Sequence, residues 1–333
     1  MLIKYVKDNF DRGEFNRSEY GIDASRMQYF YMRFKDAPMH LHVTQYWESL
    51  GIKKEVFDIP GGEDRVYSVF SPLVRTDGKK YPLFYCFCDK ADDYFKAETY
   101  GYSELSAKEQ FICVYPQYRT DGLPDLGRDF HGILDDLKEK GWPIDEKRIY
   151  AGGFFFGASA AVKLVLTTPN EFAGLGLFCG SHIFRGNYLG KRLTEYEKIP
   201  TGRLPMICAG GSADARNIWP LEQDRYFEVL NQWMGTAAKL ENFRPIRARE
   251  ARNLSLHSEN PVKKEFGLDF DRTLTEQREG MEWYIGDYLD GRGIPAVRFI
   301  NGRKLPHIHC RSVSFYVWDY LKGFRLDGSY ERS

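Results

Sequence analysis

Short apolar runs alternate with amphipathic segments along most of the chain. The runs are continuous and bounded by turn residues, and they cover 81–88, 111–116, 148–153, 174–180 and 205–211. Continuous apolar runs of this length are typical of strands buried on both faces of a parallel sheet. Segments with helical spacing lie between or after them, at 103–110, 126–140, 158–166 and 221–234. The alternation predicts an α/β fold, with a mostly parallel sheet flanked by helices.

The two ends of the chain and one internal segment differ from this pattern. Residues 1–52 lack a clean periodicity, and 53–73 alternate as strands around a Pro-Gly-Gly turn. We therefore predict an N-terminal extension over 1–52, with β structure at the start of the main domain over 53–333. Residues 241–280 are polar and lack strong periodicity up to about 269, which indicates an insertion or lid. Two further strands and a helix over 312–324 are predicted to close the domain.

Composition excludes several classes of function. Lys plus Arg (47) equals Asp plus Glu (47), so no net field attracts nucleic acid or an anionic membrane. The six cysteines lie mostly in apolar runs and do not suggest a disulfide framework. The chain contains no dinucleotide fingerprint, Walker motif or zinc knuckle, and no cofactor is expected. The start lacks the apolar core of a signal peptide, so we expect a cytoplasmic protein without a membrane partner.

The most informative stretch is the junction between the predicted strand 148–153 and the following helix. It passes through Gly153 and Gly157 in a G-x-x-x-G frame, which is typical of the nucleophile elbow of hydrolases. The glycines allow a tight turn between crowded strands, and the middle residue is normally a serine that projects above the sheet. Here the middle residue is Phe155, whose side chain cannot attack a carbonyl.

From about residue 55 to its end, the chain resembles bacterial esterases related to polyhydroxybutyrate depolymerases and feruloyl esterases. The segments that carry the resemblance are 145–153, 169–180, 210–220, 284–299 and 305–307. The resemblance implies an α/β-hydrolase fold and the chain order serine, acid, histidine. By position it implies Asp214 as the acid and His307 as the base, with His309 as an alternative histidine. The serine position falls on Phe155.

The predicted oxyanion hole also departs from this family. One backbone N–H would come from Phe156, the residue after the nucleophile position. The other would come from the loop after the strand at 82–87, where the family has His-Gly. This chain has Cys88-Asp89 there, so the glycine is absent and an acidic side chain opposes an oxyanion.

Three alternative sources of chemistry stay open. Ser159 lies four residues after Phe155, about 6 Å along the helix axis. Cys88 lies near the predicted mouth of the cleft and carries a thiol. Two H-x-H pairs could each chelate a metal if they lie on strands, since i and i+2 share a face; these are His40/His42 and His307/His309.

Two functions follow from these residues. In the first, the protein is an esterase-family homologue without its nucleophile, a pseudoenzyme that binds a small-molecule ester, a carbohydrate-type ligand or a partner. In the second, it hydrolyses small or carbohydrate-linked carboxylic esters through a substitute nucleophile or a water activated by His307. The sequence leaves the oligomeric state open.

Overall fold

The structure is a computed structural model, and it describes residues 48, 50–62, 65–73, 78–88, 100–118, 126–180, 202–214, 224–241, 243–307 and 309–331. Most of the predicted N-terminal extension lies outside these residues, as do His40, His42 and Asp89.

Ten strands in the described part of the chain form one sheet in the order β1-β2-β4-β3-β5-β6-β7-β10-β9-β8. Their bounds are β1 Ile52–Asp58, β2 Val66–Pro72, β3 Tyr81–Phe87, β4 Ile112–Pro116, β5 Ile144–Phe154, β6 Gly174–Phe178, β7 Met206–Gly211, β8 Arg272–Arg278, β9 Met281–Leu289 and β10 Pro295–Gly302. The six central strands, from β4 to β10, run parallel. The outer pairs on both sides are antiparallel. The predicted mostly parallel sheet is confirmed.

Burial explains why the central strands were visible in the sequence. Every residue of β3, β4, β6 and β7 is buried, so these strands must be apolar on both faces. The edge strand β8 is different, because it is mostly polar and all of its residues are exposed or partly exposed. A polar strand at a sheet edge gives no apolar run, so the hydrophobic pattern does not predict it.

Seven helices flank the sheet in the described residues. They are α1 Tyr102–Glu109, α2 Leu126–Glu139, α3 Phe156–Thr167, α4 Asp224–Thr236, α5 Ala248–His257, α6 Pro261–Phe266 and α7 Arg311–Leu321. In α2 the apolar residues at helical spacing are all buried; they are Phe130, Ile133, Leu134 and Leu137. Helix α7 lies against β6, where a Cβ atom added at Gly176 would meet Val317 at 2.8 Å.

The segment predicted as an insertion or lid, 241–280, contains α5, α6 and β8. Helix α6 is defined by its ends and not by periodicity. The Asn260 side chain accepts hydrogen bonds from the backbone N–H groups of Val262 (3.0 Å) and Lys263 (3.1 Å), and Gly267 ends the helix in the left-handed conformation. The segment thus contains two helices and an edge strand, and its role as an insertion or lid stays a prediction.

Membrane insertion of a helix finds no support here: none of the helices in the described ranges combines the length and the apolar character that crossing a bilayer requires.

Gly157 allows helix α3 to contact the end of β3. A Cβ atom at this position would lie 2.3 Å from the carbonyl oxygen of Cys88 and 2.5 Å from that of Phe87. Both are backbone atoms, which cannot rotate away as a side chain can. The start of α3 is thus fixed against β3 by the absence of a side chain.

We expect Gly157→Ala to lower the free energy of unfolding by about 1–3 kcal/mol, because overpacking forces the backbone apart. Gly235→Ala in α4 is the matched control, since a Cβ atom there meets nothing within 4 Å. That substitution should be neutral or stabilise by up to about 1 kcal/mol through helix propensity. Urea unfolding of both variants measures the difference, and equal effects would contradict the contact.

Candidate functional site

The turn between β5 and α3 has the conformation of a nucleophile elbow. Phe155 has φ 50° and ψ −110°, a combination that bulky residues rarely adopt. Its backbone N–H donates to the carbonyl of Phe178 (2.9 Å), and its own carbonyl accepts from Ala158 (2.9 Å). The turn is tight because a Cβ atom at Gly153 would lie 2.3 Å from the carbonyl group of Gly157. The G-x-x-x-G frame therefore forms the strained turn with a phenylalanine at its centre.

Asp214 and His307 meet at the carboxyl ends of two neighbouring strands. The Nδ1 atom of His307 lies 2.7 Å from Oδ2 of Asp214. Strands β7 and β10 run parallel, with Gly211 beside Gly302, so the loops that follow them emerge side by side. The two residues predicted as acid and base are thus brought together, although they are 93 positions apart.

Backbone contacts hold these two loops together. Ser212 N–H donates to the carbonyl of Gly302 (3.0 Å), and Ala213 N–H donates to that of Leu305 (3.1 Å). A Cβ atom at Gly211 would lie 2.0 Å from the Leu305 carbonyl oxygen. The second glycine of the Gly210-Gly211 pair is therefore required by the loop that carries His307.

The two side chains of the Asp214–His307 pair differ in burial. The side chain of Asp214 is fully buried, whereas 19% of the His307 side chain is exposed. A buried carboxylate needs a partner, and here Nδ1–H of His307 donates to it. With that proton on Nδ1, the lone pair of a neutral imidazole is on Nε2, as a general base requires.

An aromatic ring lies where a nucleophile would have to contact His307. The rings of Phe155 and His307 are perpendicular, with their centroids 4.7 Å apart. Phe154 packs on the same imidazole at 5.1 Å. Within the described ranges, the hydrogen bonding of His307 is confined to Asp214. The described residues thus give the imidazole an acid partner and an aromatic contact, and no hydroxyl or thiol hydrogen bond.

Comparison with known proteins identifies the architecture. An acetyl xylan esterase from Aspergillus awamori superposes with a TM-score of 0.50 over 81% of this chain and 99% of that chain, at 14% sequence identity. The chain has the α/β-hydrolase fold. An S-formylglutathione hydrolase from Agrobacterium tumefaciens (TM-score 0.41, 14% identity, 54% of this chain and 83% of that chain) and esterase B from Lactobacillus rhamnosis (0.42, 12%, 63% and 81%) are also similar. No family model and no curated protein matches the sequence.

The residues proposed as substitutes lie at different places around this α/β-hydrolase elbow. Ser159 is partly exposed in the first turn of α3 and does not lie on the elbow itself. Cys88 is 1% exposed, and its carbonyl accepts a hydrogen bond from the Tyr118 hydroxyl (2.9 Å). Phe156 is the first residue of α3, where backbone N–H groups project from the helix end. Its predicted role as an oxyanion donor stays a prediction.

His309 does not act together with His307 in this structure. Its Nε2 atom lies 2.7 Å from the Ser314 hydroxyl, and its ring packs on Tyr100 and Phe178 with centroids 4.7 and 4.6 Å away. The described residues after β10, 303–307, form turns and irregular structure, so the strand geometry that a chelating H-x-H pair requires is not present there. Burial lowers the pKa of His309 to about 3 and keeps the ring neutral.

Cys179 is a residue of the site that sequence analysis missed. It directly follows β6, and its sulfur, a carboxylate oxygen of Asp214 and a ring nitrogen of His307 all lie within 4.8 Å of one another. In the sequence Cys179 lies within the apolar run 174–180, where a cysteine is typical of a small hydrophobic residue in a buried strand. Its position after the strand next to the elbow could have indicated the site, since the carboxyl ends of parallel strands share one edge.

A cavity of about 1210 Å³ lies at the opposite end of β10 from His307. Its lining includes Arg247, Arg252, Tyr288 and Asp290. Tyr288 and Asp290 lie at or just beyond the end of β9, which is antiparallel to β10, so the cavity faces the start of β10. It therefore does not belong to the α/β-hydrolase site.

The buried His309 makes stability depend on pH. Its pKa is about 3 in the folded protein and about 6.5 when exposed, so the unfolded chain takes up the proton more readily. Stability is fully present above pH 6.5 and falls as the pH decreases towards 3, by about 2 kcal/mol at pH 5. Urea unfolding at pH 7 and pH 5 should show a difference that His309→Gln reduces by that amount. The same substitution at the exposed His257 is the control, and equal slopes for both variants would contradict this assignment.

Proposed function

We propose that this α/β-hydrolase is an esterase-type protein that has lost its nucleophile and binds a small ester or carbohydrate-type ligand with little or no turnover. The observation that carries the proposal is the perpendicular contact between Phe155 and His307, at 4.7 Å between ring centroids. Acyl transfer requires a hydroxyl or thiol within about 3 Å of the base. A phenyl ring at this contact supplies neither a proton nor an attacking lone pair.

The same ring also supports a change in what the site binds. Phe155 is partly buried and packs on Phe156, with ring centroids 4.3 Å apart. In a serine esterase the space above the elbow receives the acyl group. Two phenyl rings at this place favour an apolar or sugar ring over a tetrahedral intermediate, because aromatic faces bind such rings by stacking.

The ligand class comes from resemblance. The segments 145–153 and 210–220 resemble esterases related to polyhydroxybutyrate depolymerases and feruloyl esterases. The structure with a TM-score of 0.50 is named an acetyl xylan esterase. Both point to a carboxylic ester, free or attached to a carbohydrate, as the ligand for this chain.

One observation favours a second candidate, an active hydrolase that uses water. The Asp214–His307 pair keeps the geometry of an oriented general base, with Nδ1 bound to a fully buried carboxylate. Such a base can deprotonate a water molecule that attacks an ester directly. Without a covalent intermediate and with an altered oxyanion loop, the rate would be far below that of a serine esterase.

Exchange of Phe155 separates the two candidates. We expect Phe155→Ser to hydrolyse a small aryl ester, since the strained turn already projects residue 155 towards His307. Phe155→Ala is the matched control, because it opens the same space without a hydroxyl. The gain in rate should be present in the serine variant, absent in the alanine variant, and lost again in Phe155→Ser/His307→Ala.

Ester turnover by the native protein is the measurement that can contradict the proposal. Aryl ester turnover by the native chain that disappears in His307→Ala would overturn the pseudoenzyme proposal and support the water mechanism. A loss of one oxyanion donor costs about 10²–10³ in rate, so the serine variant is expected to be slow even if the proposal is correct.

Ligand binding is tested separately from turnover. Calorimetric titration of the native protein with an acetylated xylo-oligosaccharide should show binding that the deacetylated oligosaccharide does not reproduce. Phe155→Ala should weaken this binding by about tenfold, since the loss of one stacking ring removes about 1.4 kcal/mol. Equal binding of both oligosaccharides would contradict an ester ligand of this type.

A further inference from the structure

Three potential metal ligands converge at the carboxyl edge of the sheet. Cys179 follows β6, Asp214 follows β7, and His307 follows β10, and these are three neighbouring parallel strands. One donor atom from each lies within 4.8 Å of the other two. Sulfur, carboxylate oxygen and imidazole nitrogen are the three ligand types that zinc uses in proteins.

The spacing of these atoms fits a metal ion with small adjustments. Tetrahedral zinc with bonds of about 2.0–2.3 Å places its ligand atoms roughly 3.3–3.8 Å apart. Here the upper limit for the three atoms is 4.8 Å, and Nδ1 of His307 lies 2.7 Å from Oδ2 of Asp214. The 2.7 Å separation is shorter than the required one, and the separations that involve the Cys179 sulfur are at most 4.8 Å. An ion would replace the hydrogen bond between His307 and Asp214 with two coordinate bonds.

Charge balance favours a divalent ion at this position. Cys179 and Asp214 are each 1% exposed, so a thiolate and a carboxylate here would be two buried negative charges. Buried charges are stable only when paired, and a divalent cation neutralises both. The soft sulfur ligand selects zinc-like ions over Ca²⁺ and Mg²⁺, which prefer oxygen.

The backbone of Cys179 is held in an unusual conformation. Its φ is 46°, in the left-handed region that residues other than glycine seldom adopt. Its N–H donates to the Ala209 carbonyl of β7 at 2.7 Å, which ties this turn to the strand that leads to Asp214. Strained conformations of this kind are concentrated at functional sites.

We propose that Cys179, Asp214 and His307 form a binding site for one zinc-class divalent ion, with water as the fourth ligand on the exposed side of His307. Binding releases the thiol proton of Cys179 to solvent, and coordination through Nδ1 moves the imidazole proton to Nε2. No oxidation or reduction occurs. The inference does not rest on the proposed function, because it concerns the two dyad residues together with a thiol that esterase chemistry does not use.

A nucleophilic role is the competing use of Cys179. Attack on an ester requires the sulfur to contact a substrate carbonyl, and Cys179 is 1% exposed. A metal ion needs only the space between the three donor atoms and a path for water. Burial therefore favours coordination over nucleophilic attack.

Cobalt titration of the 333-residue chain tests the site. After chelator treatment and dialysis, Co²⁺ should bind with one ion per chain and produce a thiolate-to-cobalt charge-transfer band in the near ultraviolet. Cys179→Ser should abolish the band and weaken Co²⁺ binding at least tenfold. Cys208→Ser is the matched control, since Cys208 is also a buried cysteine and lies on β7, outside the cluster.

The two other ligands give a second, independent readout. Asp214→Asn and His307→Gln should each weaken zinc binding at least tenfold in calorimetry, so the proposal stays testable if Cys179→Ser fails to fold. The metal site would be contradicted if the thiolate-to-cobalt band were absent in the native protein. It would also be contradicted if the band were lost in Cys208→Ser and retained in Cys179→Ser. Zinc binding that all three ligand variants retain would contradict the site as well. Ester turnover that a chelator does not affect, and that is lost in Cys179→Ala, would also contradict it.

These measurements do not involve Phe155. If no ion binds, the contrast between Phe155→Ser and Phe155→Ala is unaffected and still decides the proposed function. If the proposed function fails because the native protein turns over an ester, the cobalt band still decides the metal site.

Discussion

Close backbone contact at the carboxyl edge of the sheet is the constraint on which the site depends. Gly157 brings α3 against the carbonyl of Cys88, and Gly211 brings the loop of His307 against the end of β7. In both places a single Cβ atom would overlap backbone atoms at 2.0–2.3 Å. These contacts bring the loop of Asp214 beside the loop of His307. They also bring the elbow at residue 155 beside both loops. The positions of the side chains follow from the glycines.

This arrangement separates the scaffold from the chemistry that it carries. The Asp214–His307 pair is formed by two adjacent loops, and the elbow by a strand, a helix and two glycines, so neither depends on the side chain at 155. The Asp214–His307 pair at the carboxyl edge of the sheet can therefore serve more than one function. It can orient a base, and with Cys179 it presents three donor atoms to a cation.

The sequence predicted those parts of the structure that depend on local pattern. Strands β3 and β6 were evident because burial on both faces leaves continuous apolar runs. The polar edge strand β8 was not predicted, because such a strand has no apolar run. Helix α6 was not predicted either, because it is defined by the capping residues at its ends and not by a periodic apolar pattern. The acid and base were predicted through resemblance. The place of Cys179 beside them was not, because no sequence spacing encodes the order β6-β7-β10.

The strained turn at Phe155 has a consequence for the history of the protein. A non-glycine residue at φ 50° costs about 1–3 kcal/mol, and the native chain bears this cost with a phenylalanine at the elbow position. Codons for phenylalanine and serine can differ by a single base. The genetic distance between this chain and one with a serine at its elbow is therefore a point mutation, with no rebuilding of the backbone around it.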